Sequence, residues 1–315
     1  MHPWIKKGLV YAPDSRMPWA QHSALTPTPF RLNDSVIRVF AGFRDTQGVS
    51  RIGFVDVDAA NPSRILAVSE KPVLDTGKAG CFDDNGVILG DVVRHGDQMW
   101  MYYVGFQLVA NVKFLAFTGL AVSNDGGTTF RRHSDAPVMD RADEGLYIRA
   151  IHTVIFEEGK WKCWYGVGSA WTTIRGTNYP QYITRYIESD DGLHFPDEGR
   201  VCLTFRGDEY RLGRPRVQRM SNGYRMYYTA GTLRGTYLPG YAESPDGISW
   251  NRMDDQVGIA PSYDGWDSKA LSYTAPIISG DKEYLFYNGN DMGNTGFGYA
   301  ERVLQEKVDP QLSNF

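Results

Sequence analysis

The sequence predicts an all-β chain folded as a five-bladed β-propeller, with the last blade closed by the N-terminal strand. Three observations predict it. Aromatics make up 13% of the 315 residues, with 19 Tyr and 8 Trp beside 34 Gly, a composition of strand formers punctuated by turn residues. A short apolar-aromatic strand ending in a small residue recurs five times. No interval between recurrences holds the helical pattern of roughly 10–15 residues that a parallel α/β fold requires.

The copies are Val36-Ile-Arg-Val-Phe-Ala-Gly42, Trp100-Met-Tyr-Tyr-Val-Gly105, Trp161-Lys-Cys-Trp-Tyr-Gly166, Tyr224-Arg-Met-Tyr-Tyr-Thr-Ala230 and Tyr284-Leu-Phe-Tyr-Asn-Gly289. Aligned on Phe40, Tyr103, Tyr165, Tyr228 and Tyr287, they lie 63, 62, 63 and 59 residues apart. Each follows another apolar strand and a short turn, beginning at Pro29, Val92, Val154, Val217 and Pro276. Three lead through a further strand to Ser123-Asn-Asp-Gly, Ser189-Asp-Asp-Gly and Ser244-Pro-Asp-Gly, each followed by an aromatic, which is a hairpin signal. Three or four strands in about 60 residues, repeated, make propeller blades. The chain is expected to be one domain over 1–315, with blades at roughly 20–75, 76–140, 141–204, 205–262 and 263–303. The last unit lacks an Asp-Gly strand, and Trp4–Tyr11 resembles the residues after those turns. It is expected to complete that blade and remove an open sheet edge. The polar tail after residue 304 is expected to be peripheral.

Most of the conspicuous residues have structural work. Tyr102, Tyr103, Trp164, Tyr227, Tyr228 and Phe286 are expected to pack between blades, and Asp125, Asp191 and Asp246 to hold turns. The net charge is −4 with no basic stripe, which excludes nucleic acid as a partner class. The N-terminus lacks a signal-peptide core and no apolar run reaches 18 residues, so no membrane partner is expected. Cys81, Cys163 and Cys202 are odd in number and lack metal spacing, the pattern of reduced thiols in a cytoplasmic protein with no metal and no cofactor. The oligomeric state is open.

In a propeller the innermost strands line a central channel. At their entry ends Asp83-Asp84, Asp208-Glu209 and Asp267 fall in register, with Glu144 one place earlier in the third unit and His22 in the first. Carboxylates crowded at one mouth push one pKa up while another stays low, as acid/base catalysis needs. Either of Asp83 and Asp84 can be the turn cap and the other the channel residue. Arg149, His152, Arg211, Arg214, Arg216 and Lys269 lie nearby in sequence, and Asp91 sits further along the second inner strand.

These units and turns, with Gly80-Cys-Phe-Asp-Asp-Asn-Gly-Val87, Gly265-Trp-Asp-Ser268, Tyr287-Asn-Gly-Asn290 and Gly296-Phe-Gly-Tyr-Ala300, resemble the five-bladed propeller glycoside hydrolases, families 43, 62, 32, 68, 117 and 130. The nearest likeness is to glycosidase-like proteins of bacterial surface-polysaccharide gene clusters. The resemblance covers nearly the whole chain. It implies a funnel with three carboxylates, one from each of the first three blades, acting as base or nucleophile, as general acid and as tuning group. The first blade departs from that pattern, with Gln21-His22-Ser23 where an Asp-Pro usually stands. The expected function is therefore a glycoside hydrolase acting on a surface-polysaccharide-type sugar. Glu144 and one of Asp83 and Asp84 are the expected catalytic acids, with Glu209 and Asp267 as further candidates. His22, Asp91, Arg149, His152, Arg214, Lys269, Tyr273 and Trp171 are expected to bind substrate. The alternatives are a glycoside phosphorylase or transglycosidase, in which an Arg, His and Lys cluster holds phosphate, and a non-catalytic carbohydrate-binding propeller.

Overall fold

The structure, a computed structural model, describes residues 3–235 and 237–304; the tail expected to be peripheral lies outside the described residues. Strand β1 (Ile5–Tyr11) opens the chain. The first four-stranded meander is β2 (His22–Arg31), β3 (Val36–Arg44), β4 (Ser50–Asp58) and β5 (Ile65–Val68). The second is β6 (Val87–His95), β7 (Gln98–Gln107), β8 (Leu115–Ser123) and β9 (Arg131–Arg132). The third is β10 (Ile148–Glu157), β11 (Lys160–Ile174), β12 (Thr177–Ser189) and β13 (Arg200–Leu203). The fourth is β14 (Glu209–Met220), β15 (Gly223–Thr232), β16 (Tyr237–Ser244) and β17 (Asn251–Arg252). Strands β18 (Ser272–Ser279), β19 (Lys282–Asn288) and β20 (Phe297–Val303) take β1 as their fourth member, with Ile5 opposite Glu301 and Tyr11 opposite Phe297. The closure read from the sequence is thus present, and it pairs an edge that would otherwise be open.

The first strands of the five units touch one another in a closed cycle, β2 to β6 to β10 to β14 to β18 and back to β2. That cycle is the inner wall of a propeller. Five apolar clusters sit between successive units, and one of them joins the last unit to the first. The aligned aromatics sit in four of them: Phe40 and Tyr103 share one, Tyr165, Tyr228 and Tyr287 take one each, and all five are fully buried. Each such side chain contributes on the order of 1.5–3 kcal/mol relative to exposure. Trp100 stacks on Trp161 across the second interface, with ring centroids 5.1 Å apart.

The Ser-x-Asp-Gly turns are structural, as the sequence suggests. Ser123 Oγ accepts the Gly127 N–H at 2.9 Å, and Asp125 accepts the Thr128 and Thr129 N–H groups at 3.0 Å. Asp246 accepts those of Ile248 and Ser249. Burial opposes ionisation of Asp125 and Asp246, yet these hydrogen bonds outweigh it and hold both carboxyls at about 2. Gly247 takes a φ of 77°, and a Cβ there would stand 2.9 Å from the Trp164 ring.

Candidate functional site

Two rings of polar residues encircle the molecule at different depths. The first holds the carboxylates singled out in the sequence. Asp83 accepts the Tyr103 hydroxyl at 3.0 Å and Arg132 Nε at 2.7 Å. Glu144 accepts Arg149 at 2.9 Å, Arg185 at 3.0 Å, the Tyr165 hydroxyl at 2.7 Å and the Gly199 N–H at 3.0 Å. Asp267 accepts Lys6 at 2.7 Å and the Tyr287 hydroxyl at 3.0 Å. Glu209 is gripped by Arg252 at 2.6 and 2.8 Å, and the same arginine holds Asp254, which accepts the Tyr228 hydroxyl. Each acid is thus tied inside its own unit to the aligned tyrosine or to a cation from an outer strand. The first unit has Phe40 in place of that tyrosine, so the acid missing there goes with a missing hydroxyl. Burial, then the neighbouring carboxylate, pushes the Tyr103 and Tyr287 phenols well above their ordinary values and keeps them donors.

In this arrangement the carboxylates expected at the channel are engaged by partners of their own units. None of Asp83, Glu144, Glu209 and Asp267 is among the residues lining the cavity at the channel mouth. Asp84 caps a turn by accepting the Gly80 N–H at 2.8 Å. Arg149 belongs to the Glu144 clamp. His22 meets Ser23 Oγ at 2.8 Å, Lys269 is exposed, and Trp171 packs on Phe114 and Tyr147; none of the three lines the cavity. Asp91 holds Arg216 at 2.8 Å and accepts the Val154 N–H. It lines a separate cavity of about 190 Å³ at the opposite end of the channel.

The second ring is made by bulges. In every inner strand the pairing register slips at the same depth: between Leu25 and Thr28, Leu89 and Asp91, Ile151 and Thr153, Gly213 and Arg216, and Ser272 and Ala275. A bulge re-aims side chains out of the strand alternation. The residues within these five are Thr26, Gly90, His152, Arg214 and Tyr273, with neighbours. Thr26, Arg214 and Tyr273 have φ values of 52°, 53° and 56°, the left-handed region that non-glycine residues rarely take. Three such residues at one level mark a site where surrounding structure holds the backbone against strain. Gly90 is required for close approach, because a Cβ there would lie 2.3 Å from Ile151 O.

Thr26, His152, Arg214 and Tyr273 all line one cavity of about 380 Å³, the size range of small-ligand sites. Its floor is Arg214, whose guanidinium donates to Leu89 O at 2.6 Å, Thr26 O at 3.1 Å and Thr28 Oγ1. Burial, then neighbouring Arg216, lowers Arg214 to about 9. Burial, then Arg214 and Arg216, holds His152 well below its ordinary 6.5, so its imidazole is neutral at pH 7. Its Nδ1 is buried with no hydrogen-bond partner among the described residues. Tyr179, Tyr182, Arg44, Arg211 and Lys113 complete the polar wall, and Phe106 and Phe114 the apolar one. No described residue lining this cavity is an aspartate or glutamate.

Of the cavity's residues, His152, Arg214 and Tyr273 are among those the sequence offers as substrate-binding candidates. Thr26, Arg44, Tyr179, Tyr182 and Lys113 are not, and Arg211 stands out there only by its nearness to other basic residues. Pro27 and Pro215 inside inner strands are the available signal, because proline within a sheet is confined to edges and bulges.

No protein-family model matches the chain. It is 34% identical over 299 residues to two proteins of Mycobacterium tuberculosis, "Uncharacterized protein Rv1502" and "Uncharacterized protein MT1551", covering 94% of this chain and 98% of each relative. Among solved structures, one named "Glycoside hydrolase" superposes with a TM-score of 0.75 at 18% identity, over 98% of this chain and 94% of that one. A member of the GH130 family, described as mannoside phosphorylases that include glycoside hydrolases targeting β-1,2 mannosidic linkages in Candida mannan, gives 0.73 at 14% identity, over 98% and 96%. The Bombyx mori GH32 β-fructofuranosidase mutant in complex with sucrose gives 0.60 at 18%, over 89% and 61%. These likenesses show a glycosidase-type propeller fold.

Proposed function

The chain belongs to one family with the two mycobacterial proteins, and on that footing we propose that it is a glycan-processing enzyme working in the cavity of about 380 Å³. One observation carries this reading: bulges at a common depth turn His152, Arg214 and Tyr273 from three different units into one ligand-sized space. The structural neighbours, named as a glycoside hydrolase, a phosphorylase family and a sucrose complex, support carbohydrate as the substrate class.

Cleaving a glycosidic bond requires a proton at the leaving oxygen and a nucleophile at the anomeric carbon. Carboxylates commonly do both, and here they are engaged in the clamps. His152 is the proton-transfer group in this reading. Its neutral imidazole accepts a proton from the attacking water or acceptor hydroxyl as that oxygen bonds to the anomeric carbon, and a tyrosine hydroxyl of the same cavity, Tyr182 or Tyr273, gives its proton to the leaving oxygen as the glycosidic bond breaks, the imidazolium proton then restoring the phenol through solvent. Tyr182 and Tyr273 offer hydroxyls to the sugar, and Arg214 fixes the floor against which the ring rests.

The test is a screen of mannosides, fructosides and acidic-sugar glycosides, with and without phosphate, on wild type, His152→Gln and His22→Gln. The expected result is turnover lost by about 10²–10⁴-fold in His152→Gln, the range for a positioned general acid or base, and retained in His22→Gln. Saturable sugar binding without turnover in any condition identifies a carbohydrate-binding propeller instead.

A further inference from the structure

The cavity at the channel mouth holds more positive charge than it balances. Arg44, Arg211, Arg214 and Lys113 all line it, and no described carboxylate forms an ion pair with any of them. Buried arginines elsewhere are matched: Arg149 pairs with Glu144 at 2.9 Å, Arg302 with Glu283 at 2.7 Å and Arg38 with Asp56 at 2.7 Å. The Nε atoms of Arg44, Arg211 and Arg214 are buried and have no partner among the described residues. Arg214 is 1% exposed, and the one carboxylate acting on it, Asp91, is committed to Arg216.

All three arginines line the same cavity as Tyr273. Tyrosine faces hold Arg211 in place, with its guanidinium carbon 4.3 Å from the Tyr237 ring centre and 5.0 Å from that of Tyr210. A buried cation without a partner is costly, and arginine's planar donors match an oxyanion in two-point geometry. Cation-rich, acid-free and open to solvent, the cavity has the composition of an anion site.

We propose that this cavity binds an oxyanion beside Tyr273, held by Arg44, Arg211 and Arg214 with Lys113 at the rim. The glycan it takes therefore carries an acidic group, a carboxylate, sulfate or phosphate. The inference rests on the reading of this cavity as the glycan site. The same oxyanion chemistry is shared by inorganic phosphate acting as a co-substrate, and the arms of the test separate the two sources.

The experiment is isothermal titration calorimetry on the full chain with four probes: D-galacturonate, D-galactose, inorganic phosphate, and galactose with phosphate. Galacturonate is expected to bind at least about tenfold tighter than galactose, the equivalent of one charged hydrogen bond of roughly 1.5 kcal/mol. Added salt weakens it. Arg44→Gln is expected to remove most of that preference. Lys113→Gln, at an exposed position that cannot disturb folding, lowers it less and carries the test if Arg44→Gln does not fold. Phosphate binding that depends on Arg44 and promotes galactose binding supports the site and assigns the anion to a co-substrate. Phosphate binding with no sugar bound in any arm upholds the anion site and overturns the glycan reading. Galactose and galacturonate binding equally with no Arg44-dependent phosphate binding, anion binding indifferent to both substitutions, or no binding by any anion overturns the proposal; the first of these leaves the glycan reading standing.

Discussion

The clamp ring and the bulge ring are built from the same residue types, acids or imidazole with arginine and tyrosine, yet they end in opposite electrostatic states. In the clamps every acid meets a cation and nearly all a tyrosine hydroxyl of its own unit, so charge is cancelled where it is buried. Glu144, with four donors on a side chain 2% exposed, has no free lone pair to offer a substrate. In the cavity lined by the bulge ring, Arg44, Arg211 and Arg214 keep donors, and His152 a nitrogen, that meet no described partner. A repeated polar residue in a repeat protein therefore belongs to the scaffold when its partners repeat with it. A polar residue that differs from unit to unit at a shared backbone irregularity, as Thr26, Gly90, His152, Arg214 and Tyr273 do, belongs to the candidate site.

The largest expected effect tests the scaffold side. Deleting residues 1–11 removes β1, the Lys6 partner of Asp267, and Trp4, over whose ring Arg302 lies at 4.1 Å. The truncated chain is expected to be unfolded, or to melt at least about 10 °C lower, several kcal/mol at this chain length. Melting within about 2 °C of the full chain breaks the claim that the last clamp and the ring closure depend on β1.

Next in size is a clamp acid. Glu144→Ala leaves the buried Arg149 without its counter-charge and Arg185 with only Glu198 at 3.2 Å, and removing one partner of a buried pair costs about 3–5 kcal/mol. Chemical denaturation measures it. A loss below about 1 kcal/mol shows that Glu144 is not a scaffold element and returns it to the catalytic candidates. Replacing Phe40 with tyrosine is a sharper probe of the same idea. Its new hydroxyl finds no acid in the first unit, so the variant is expected to lose about 1–3 kcal/mol as an unsatisfied buried donor.

His152→Gln, on the site side, is expected to change stability at pH 7 by less than about 1 kcal/mol, because the side chain makes no described hydrogen bond. Its pH dependence separates the rings further. The folded-state pKa of His152 lies well below 6.5, so below about pH 6.5 the unfolded chain binds a proton that the native state refuses. Wild type therefore loses stability relative to His152→Gln as pH falls below 6.5, and the two coincide above it. Parallel denaturation curves at pH 7.5 and 5.5 read the difference directly; equal shifts at both pH values mean that the imidazole is solvated and the cavity is open to protonation.

The repeat, the strand-rich units, the Ser-x-Asp-Gly turns and the donation of residues 4–11 to the last sheet are all readable from the residues in order. These are local matters: period, turn chemistry and apolar alternation act over a few residues and recur five times, so each copy corroborates the others. Which polar groups face the cavity is settled only when the units come together. Register places Asp83, Glu144, Glu209 and Asp267 at one level, but whether an acid at that level turns toward the channel or back into its unit depends on Arg132, Arg185, Arg252 and Lys6. Those partners arrive from later strands of the unit, and Lys6 arrives across the chain closure, so, apart from Arg149 five residues after Glu144, no short window of sequence contains both halves of a clamp. The bulges are equally non-local in effect. An extra residue in each inner strand inverts the alternation that sequence reading assumes, and it is this slip that brings Thr26, His152, Arg214 and Tyr273 into one space.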